Sequence, residues 1–233
     1  MRIIDYNKRE IKKLLSKNST GVFNIFEVNG TTQKIYKDLM YELQKYKRVI
    51  TPYSLADMEQ IRWLSNQQMY IKSTQLPDGI IMNSDYPIGV SYPTYFFDYE
   101  NFYALSSYSP DIVIHDLRLA VEKNIELMER GIYNYDFTFN NILFKGKDVQ
   151  LIDIDGKYVT SMQSYDRVYS YFTHQMMELL VSIIREQYGF EEAKKVILEL
   201  KERLKKIYAS GITIDYPNRI LDEIEKSQIL KLN

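Results

Sequence analysis

Residues 131–156, GIYNYDFTFNNILFKGKDVQLIDIDG, constrain this chain more than any other stretch. Asp136 is followed five residues later by Asn141, and Asp153 comes twelve residues after that. The sequence between Asn141 and Asp153 reads as a short hairpin. Ile142, Leu143 and Phe144 form an apolar run, residues 145–148 (KGKD) are turn-like, and Val149, Leu151 and Ile152 make the return strand. A hairpin folds its ends back together, so Asn141 and Asp153 are expected to be close in space. Both are hard oxygen donors and suit Mg²⁺ with bound phosphates. The competing reading is a plain hairpin with acidic ends. An Asp and an Asn five residues apart do not decide between the two. The same spacing with a hairpin, a second Asp and a helix before it favours a chemical site.

Composition narrows the class. Among 233 residues, 30 basic and 31 acidic side chains give a net charge of −1, so nothing draws the chain generally to nucleic acid or an anionic membrane. There is no cysteine, which excludes disulfides and thiolate metal sites. The first residues, MRIIDYNKREIKKLL, are too charged for a signal peptide, and no apolar run is long enough for a bilayer span. A soluble cytoplasmic protein is the expectation. A hydrophobic content of 45% supplies a core. The 21 tyrosines are read as compositional bias rather than as a binding surface.

Along the chain, residues 5–15 read as a short helix, with Ile11, Leu14 and Leu15 on one face. Residues 22–28 and 31–37 read as strands around Asn29-Gly30, a strong two-residue hairpin signal. That turn pairs Val28 with Thr31, Ile25 with Lys34 and Phe23 with Tyr36. Strand alternation then puts Lys34 and Lys37 on opposite faces. Residues 38–47 and 55–67 read as helices, and 71–74, 79–82 and 88–92 as short strands, making about five strands in all. Residues 100–106 read as a short helix. Residues 111–130 read as a long one, with Ile114, Leu117, Val121, Ile125 and Met128 on one stripe and Gly131 as its C′ residue. Helices are expected again at 166–184, 191–209 and 218–230. His115, inside the long helix, reads as structural.

Residues 136–143, DFTFNNIL, resemble the catalytic-loop stretch D-L-x-x-x-N-I-L of the protein-kinase-like superfamily. Leu151-Ile152-Asp153 resembles the strand that delivers that family's metal-binding Asp. Two departures stand out: Asn134-Tyr135 replaces His-Arg before the catalytic Asp, and Ile154-Asp155 replaces Phe-Gly after the metal Asp. No Ala-Pro-Glu follows. These features resemble the atypical and small-molecule branches, RIO-like or aminoglycoside-phosphotransferase-like. The specific motif covers residues 131–156; beyond it the resemblance is one of element order.

The resemblance implies a two-lobed α+β fold. A small β-rich N-lobe would span 1–97 and a helical C-lobe 98–233, with residues 93–98 as the hinge. It implies ATP and Mg²⁺ as cofactors, with Asp136 accepting the proton of an attacking hydroxyl and Asn141 and Asp153 holding Mg²⁺. Lys34-Ile35-Tyr36-Lys37 resembles the lysine strand of RIO-type kinases, which assigns phosphate binding to Lys34 with Lys37 as the alternative. Glu59 would supply the glutamate that holds this lysine; it reads equally well as an exposed first-turn glutamate favoured by the helix dipole. Gly21 is the one glycine where the family carries a Gly-rich loop over the phosphates. Asp155 remains the alternative to Asp153 as metal ligand. The implied activity is transfer of the γ-phosphoryl group of ATP to a hydroxyl on a protein or small molecule. The alternatives are a non-catalytic pseudokinase module that binds nucleotide or a partner, and an unrelated α+β interaction protein. The acceptor and the oligomeric state are left open.

Since the two lysines face opposite ways, only one can serve the phosphates. Lys34→Ala is expected to weaken Mg-ATP binding, measured by titration calorimetry, far more than Lys37→Ala. Equal effects or the reverse order would reject the assignment to Lys34.

Overall fold

The computed structural model describes residues 1–5, 13–14, 23–28, 31–36, 55–71, 74–83, 85–93, 99–102, 108–155 and 159–227. In chain order the elements are β1 (Arg2–Asp5), β2 (Lys13–Leu14), β3 (Phe23–Val28), β4 (Thr31–Tyr36), α1 (Leu55–Gln67), β5 (Gly79–Asn83), β6 (Tyr86–Tyr92), β7 (Glu100–Asn101), α2 (Pro110–Glu129), β8 (Tyr133–Asn134), β9 (Ile142–Lys145), β10 (Asp148–Leu151), β11 (Val159–Thr160), α3 (Tyr165–Ala209) and α4 (Tyr216–Lys226). Single 3₁₀ turns lie at Gln68–Tyr70 and Phe139–Asn141. The architecture is mixed α/β, a small sheet with helices. Among the described residues no helix is long and apolar enough to cross a membrane.

Two compact units make up the chain: Met1–Asp98 with Ile154–Tyr158, and Tyr99–Asp153 with Val159–Asn233. The first is built on a six-stranded sheet in the order β1-β5-β6-β4-β3-β2. The β3–β4 register is the one a two-residue turn dictates, with Val28 opposite Thr31, Ile25 opposite Lys34 and Phe23 opposite Tyr36. β4 then pairs with β6, placing Lys34 across from Val90 and Thr32 across from Tyr92. One face of this sheet carries an apolar cluster. Ile80, Val90 and Tyr92 pack there with Ile61 of α1, and Met58 and Met82 fill in around them. Each such side chain stabilises by roughly 1.5–3 kcal/mol relative to exposure.

The expectation for residues 5–15 is corrected at both described ends. Asp5 closes β1, and Lys13–Leu14 is a strand. β1 lies parallel to β5 with Ile3 opposite Ile80 and Ile4 opposite Ile81. A partner more than seventy residues away outweighs a helical pattern only eleven residues long. At the start of the helix expected over 100–106, Glu100–Asn101 is instead β7, which pairs with β9; residues 103–106 lie outside the described residues. Ile71 and Thr74 are not in a strand; Gln68 instead accepts from Leu76 N–H (2.6 Å) and donates to Ile71 O (2.8 Å), stitching this segment to the end of α1. The helix expected at 38–47, the hinge aromatics at 94–98, Gly21 and Lys37 lie outside the described residues.

The second unit is mainly helical. α2 buries Val113, Ile114, Leu117, Ala120, Val121, Leu127 and Met128 along one stripe. Its C-terminus closes at Gly131, φ +76°, where Gly131 N–H donates to Met128 O (2.9 Å) and Ile132 N–H to Leu127 O (2.9 Å). That is the two-bond left-handed cap that glycine favours. Arg118 of α2 reaches Asp222 (2.8 Å) and Glu225 (2.7 Å) of α4. α3 is broken at Gly189, φ 74°, ψ 173°, so the two helices expected at 166–184 and 191–209 meet at a kink.

Gly89 has a distinct role. A Cβ built there would lie 2.3 Å from the backbone oxygen of Lys34 and 3.1 Å from Ile35 Cγ1. The β4–β6 approach therefore needs glycine, and with it the seating of Lys34. Gly89→Ala should destabilise by about 1–3 kcal/mol, the usual cost of overpacking, and lower the urea midpoint accordingly. An unchanged midpoint would mean that the strands separate without cost.

Candidate active site

The site in the second unit is assembled by backbone bonds. After the α2 cap the chain forms β8, which pairs with β11 so that Asn134 faces Val159. The Asn134 side chain then accepts from Asp136 N–H at 3.0 Å, an Asx-type turn that fixes the backbone at Asp136. Phe137 and Phe139 alternate into the core. Phe137 stacks on Phe172 at 4.3 Å and meets Tyr169 edge-on at 6.3 Å, while Phe139 packs against Phe102 at 5.0 Å. Buried Gln175 of α3 accepts from Phe139 N–H at 2.9 Å. Burial pushes the Tyr169 phenol far up, so it stays neutral and leaves no charge beneath the loop.

Asp136 stands half-buried, and its carboxylate has no side-chain partner among the described residues. Asn141 is buried and donates from Nδ2 to Asp136 O at 2.8 Å. An amide whose NH₂ is committed to a carbonyl presents its Oδ1 as the acceptor. The β9–β10 hairpin forms as expected, with Ile142 opposite Leu151 and Phe144 opposite Val149. One further rung, Ile152 N–H to Asn141 O at 2.9 Å, extends it past the strands. Asp153 is thus the residue after Asn141's backbone partner. It is also the one non-glycine with positive φ (59°) among the described residues. Such a conformation costs on the order of 1–3 kcal/mol and gathers at functional sites.

The first unit holds the other candidates. Lys34 is buried, and Asp155 lies beside it, Nζ to Oδ1 3.3 Å. The other Asp155 oxygen accepts from the Tyr92 hydroxyl. Glu59 is exposed on α1, next to Met58, which packs on the sheet. Asp155 and Tyr92 are the residues that sequence reading passed over in this role. A Tyr at the end of β6 carries no local signal, and Asp155 was weighed only as a metal ligand. Asn134 was noted only as a departure from the family pattern, although an Asn two residues before the key Asp is a turn signal in itself. His115 and His174 are both exposed, beside Asp116 (3.1 Å) and Glu178 (3.2 Å).

Among the described residues, no three His, Cys, Asp or Glu side chains are grouped to hold a metal by themselves. Asn141 Oδ1 and the Asp153 carboxylate are two hard oxygens. This donor set fits Mg²⁺, which takes few protein ligands and completes its shell with phosphate and water.

No protein-family model matches the chain, and no curated protein does. Among solved structures it is similar to a twitchin kinase fragment of C. elegans, described as autoregulated protein kinase and immunoglobulin domains. The two are 17% identical with a TM-score of 0.45, and the match covers 66% of this chain and 34% of that one. The chain therefore spans about a third of that fragment's length. The reading of the site rests on its own geometry.

Gln175→Leu keeps the bulk of the side chain but leaves the buried Phe139 N–H without its acceptor. A loss of about 1–3 kcal/mol in urea unfolding is expected, the cost of an orphaned buried donor. No loss would mean that the loop is anchored elsewhere.

Proposed function

We propose that this chain is an ATP-dependent phosphotransferase that moves the γ-phosphoryl group to a hydroxyl acceptor. One observation carries the reading: a single backbone-bonded loop and hairpin gathers an unpartnered carboxylate (Asp136), an amide oxygen (Asn141) and a carboxylate held in left-handed backbone (Asp153). In phosphoryl transfer the protein mainly positions groups and neutralises charge. Asp136 orients the acceptor hydroxyl and takes its proton as the new O–P bond forms and the bond to the leaving diphosphate breaks. Asn141 and Asp153 would hold Mg²⁺, which neutralises phosphate charge when bound. Lys34 holds phosphate oxygens. The acceptor class is not specified by these residues.

The roles separate in experiment. Asp136→Asn keeps shape and leaves the proposed metal ligands alone. Mg-ATP affinity should stay near wild type, while transfer, or slow ATP hydrolysis when no acceptor is known, falls by roughly 10²-fold or more. Asp153→Asn should lower both affinity and rate. Asp155→Asn abolishing magnesium-dependent binding while Asp153→Asn does not would move the metal to Asp155. Wild type that binds Mg-ATP without ever turning it over would make the chain a non-catalytic nucleotide-binding module. Absence of any Mg-ATP thermal shift would reject both readings.

A further inference from the structure

We infer that the second unit carries a binding site for a small amphiphile, a molecule with an apolar body and one anionic end, seated between the two halves of α3. The site does not rest on the function proposed above.

Gly189 breaks α3, and a cavity lies between stripes on either side of the break. On the first half, Tyr169, Thr173 and Met177 stand four residues apart and share one helix face. On the second half, Ile197, Lys201, Leu204 and Tyr208 follow at spacings of four, three and four, again one face. The two stripes line a cavity of about 450 Å³, together with Ile212 and Tyr216. That size falls in the range of small-molecule sites. The buried part of the lining is mainly apolar and aromatic, with Tyr169, Leu204 and Tyr216. The charged groups, His174 and Lys201, are exposed at its mouth.

Two observations point to an occupant. Thr173 is only 8% exposed, and its hydroxyl has no hydrogen-bond partner. Buried hydroxyls are normally paired. A helical Thr has two accessible χ1 rotamers, so this hydroxyl can turn to a polar atom in the cavity. The charge around the cavity is also one-sided. Among the described residues no Asp or Glu lines it. Burial pushes the Tyr216 phenol up to about 12 and raises that of Tyr208, so neither adds negative charge. His174 has Glu178 beside it at 3.2 Å, whereas Lys201 has no ion pair among the described residues. An unpaired ammonium at the mouth of an apolar cavity favours an anionic head group and repels a cationic one.

Octanoate is the probe, with 1-octanol and octylammonium as its neutral and cationic counterparts. The intact protein carries carbon-13 in its methionine methyls, and the Met177 signal is identified by its loss in Met177→Leu. Octanoate should shift that signal in a saturable way. Hexanoate should bind roughly tenfold more weakly, since each buried methylene is worth about fourfold. Octylammonium should bind more weakly than octanoate. Lys201→Gln, at an exposed position, should weaken octanoate about threefold to fivefold and leave octanol unchanged. Ile197→Trp fills the cavity from its half-buried wall and should remove the binding of both. An unmoved Met177 signal, octylammonium binding as tightly as octanoate, or unchanged octanoate affinity in Lys201→Gln overturns the inference. Octanoate affinity that survives in folded Ile197→Trp does so as well. Should Ile197→Trp fail to fold, Lys201→Gln decides. A Met177 signal that moves with protein concentration in the absence of ligand assigns the cavity to a second copy of the chain and overturns the amphiphile site.

Discussion

The arrangement of the candidate site in the second unit depends on one backbone hydrogen bond, from Ile152 N–H to Asn141 O at 2.9 Å. It adds a rung to the β9–β10 ladder beyond the last strand residues. A slip of one residue in that ladder would turn every side chain on β10 to the opposite face and carry Asp153 away from Asn141. Asn141 then passes the constraint on through its amide, which donates to Asp136 O, and Asn134 holds Asp136 N–H from the other side. The loop is placed by bonds to the main chain, one from the backbone of Ile152 and two from the short amides of Asn134 and Asn141. Such bonds hold position better than long side chains, which lose rotamer freedom when ordered.

The loop is also fastened from below. Phe137 and Phe139 are buried against Phe172 of α3, and Phe139 also against Phe102. Asp153 absorbs the change of direction at the end of the hairpin with φ 59°. The ladder rung precedes it and the buried Ile154 and Asp155 follow it, so neither side of the strained residue can relax easily. In the first unit the buried Lys34–Asp155 pair adds little net stability, because the desolvation of two charges offsets most of their attraction. Its contribution is orientation.

Legibility followed the range of the determining contact. The Asn29-Gly30 dipeptide predicted the β3–β4 register residue by residue, since a two-residue turn leaves no choice. The α2 stripe and its Gly131 cap were readable because both arise within one helix. Asp5 was misread because β1 owes its form to β5, Lys13–Leu14 because β2 owes its form to β3, and residues 100–101 because β7 owes its form to β9. Short segments take their conformation from partners that local periodicity does not reveal.

From sequence alone came the hairpin at 142–151 and the approach of Asn141 to the residues around Asp153. Each follows from turn chemistry and strand alternation, which act over a few residues. Tertiary structure decided that Asp155 meets Lys34. Asp155 lies 121 residues away, and Glu59 sat in the expected helix with equal charge. The difference is burial: α1 turns its apolar side to the sheet because Met58 and Ile61 gain more from leaving water than Glu59 would, and the buried lysine then takes the acid that the fold brings to it.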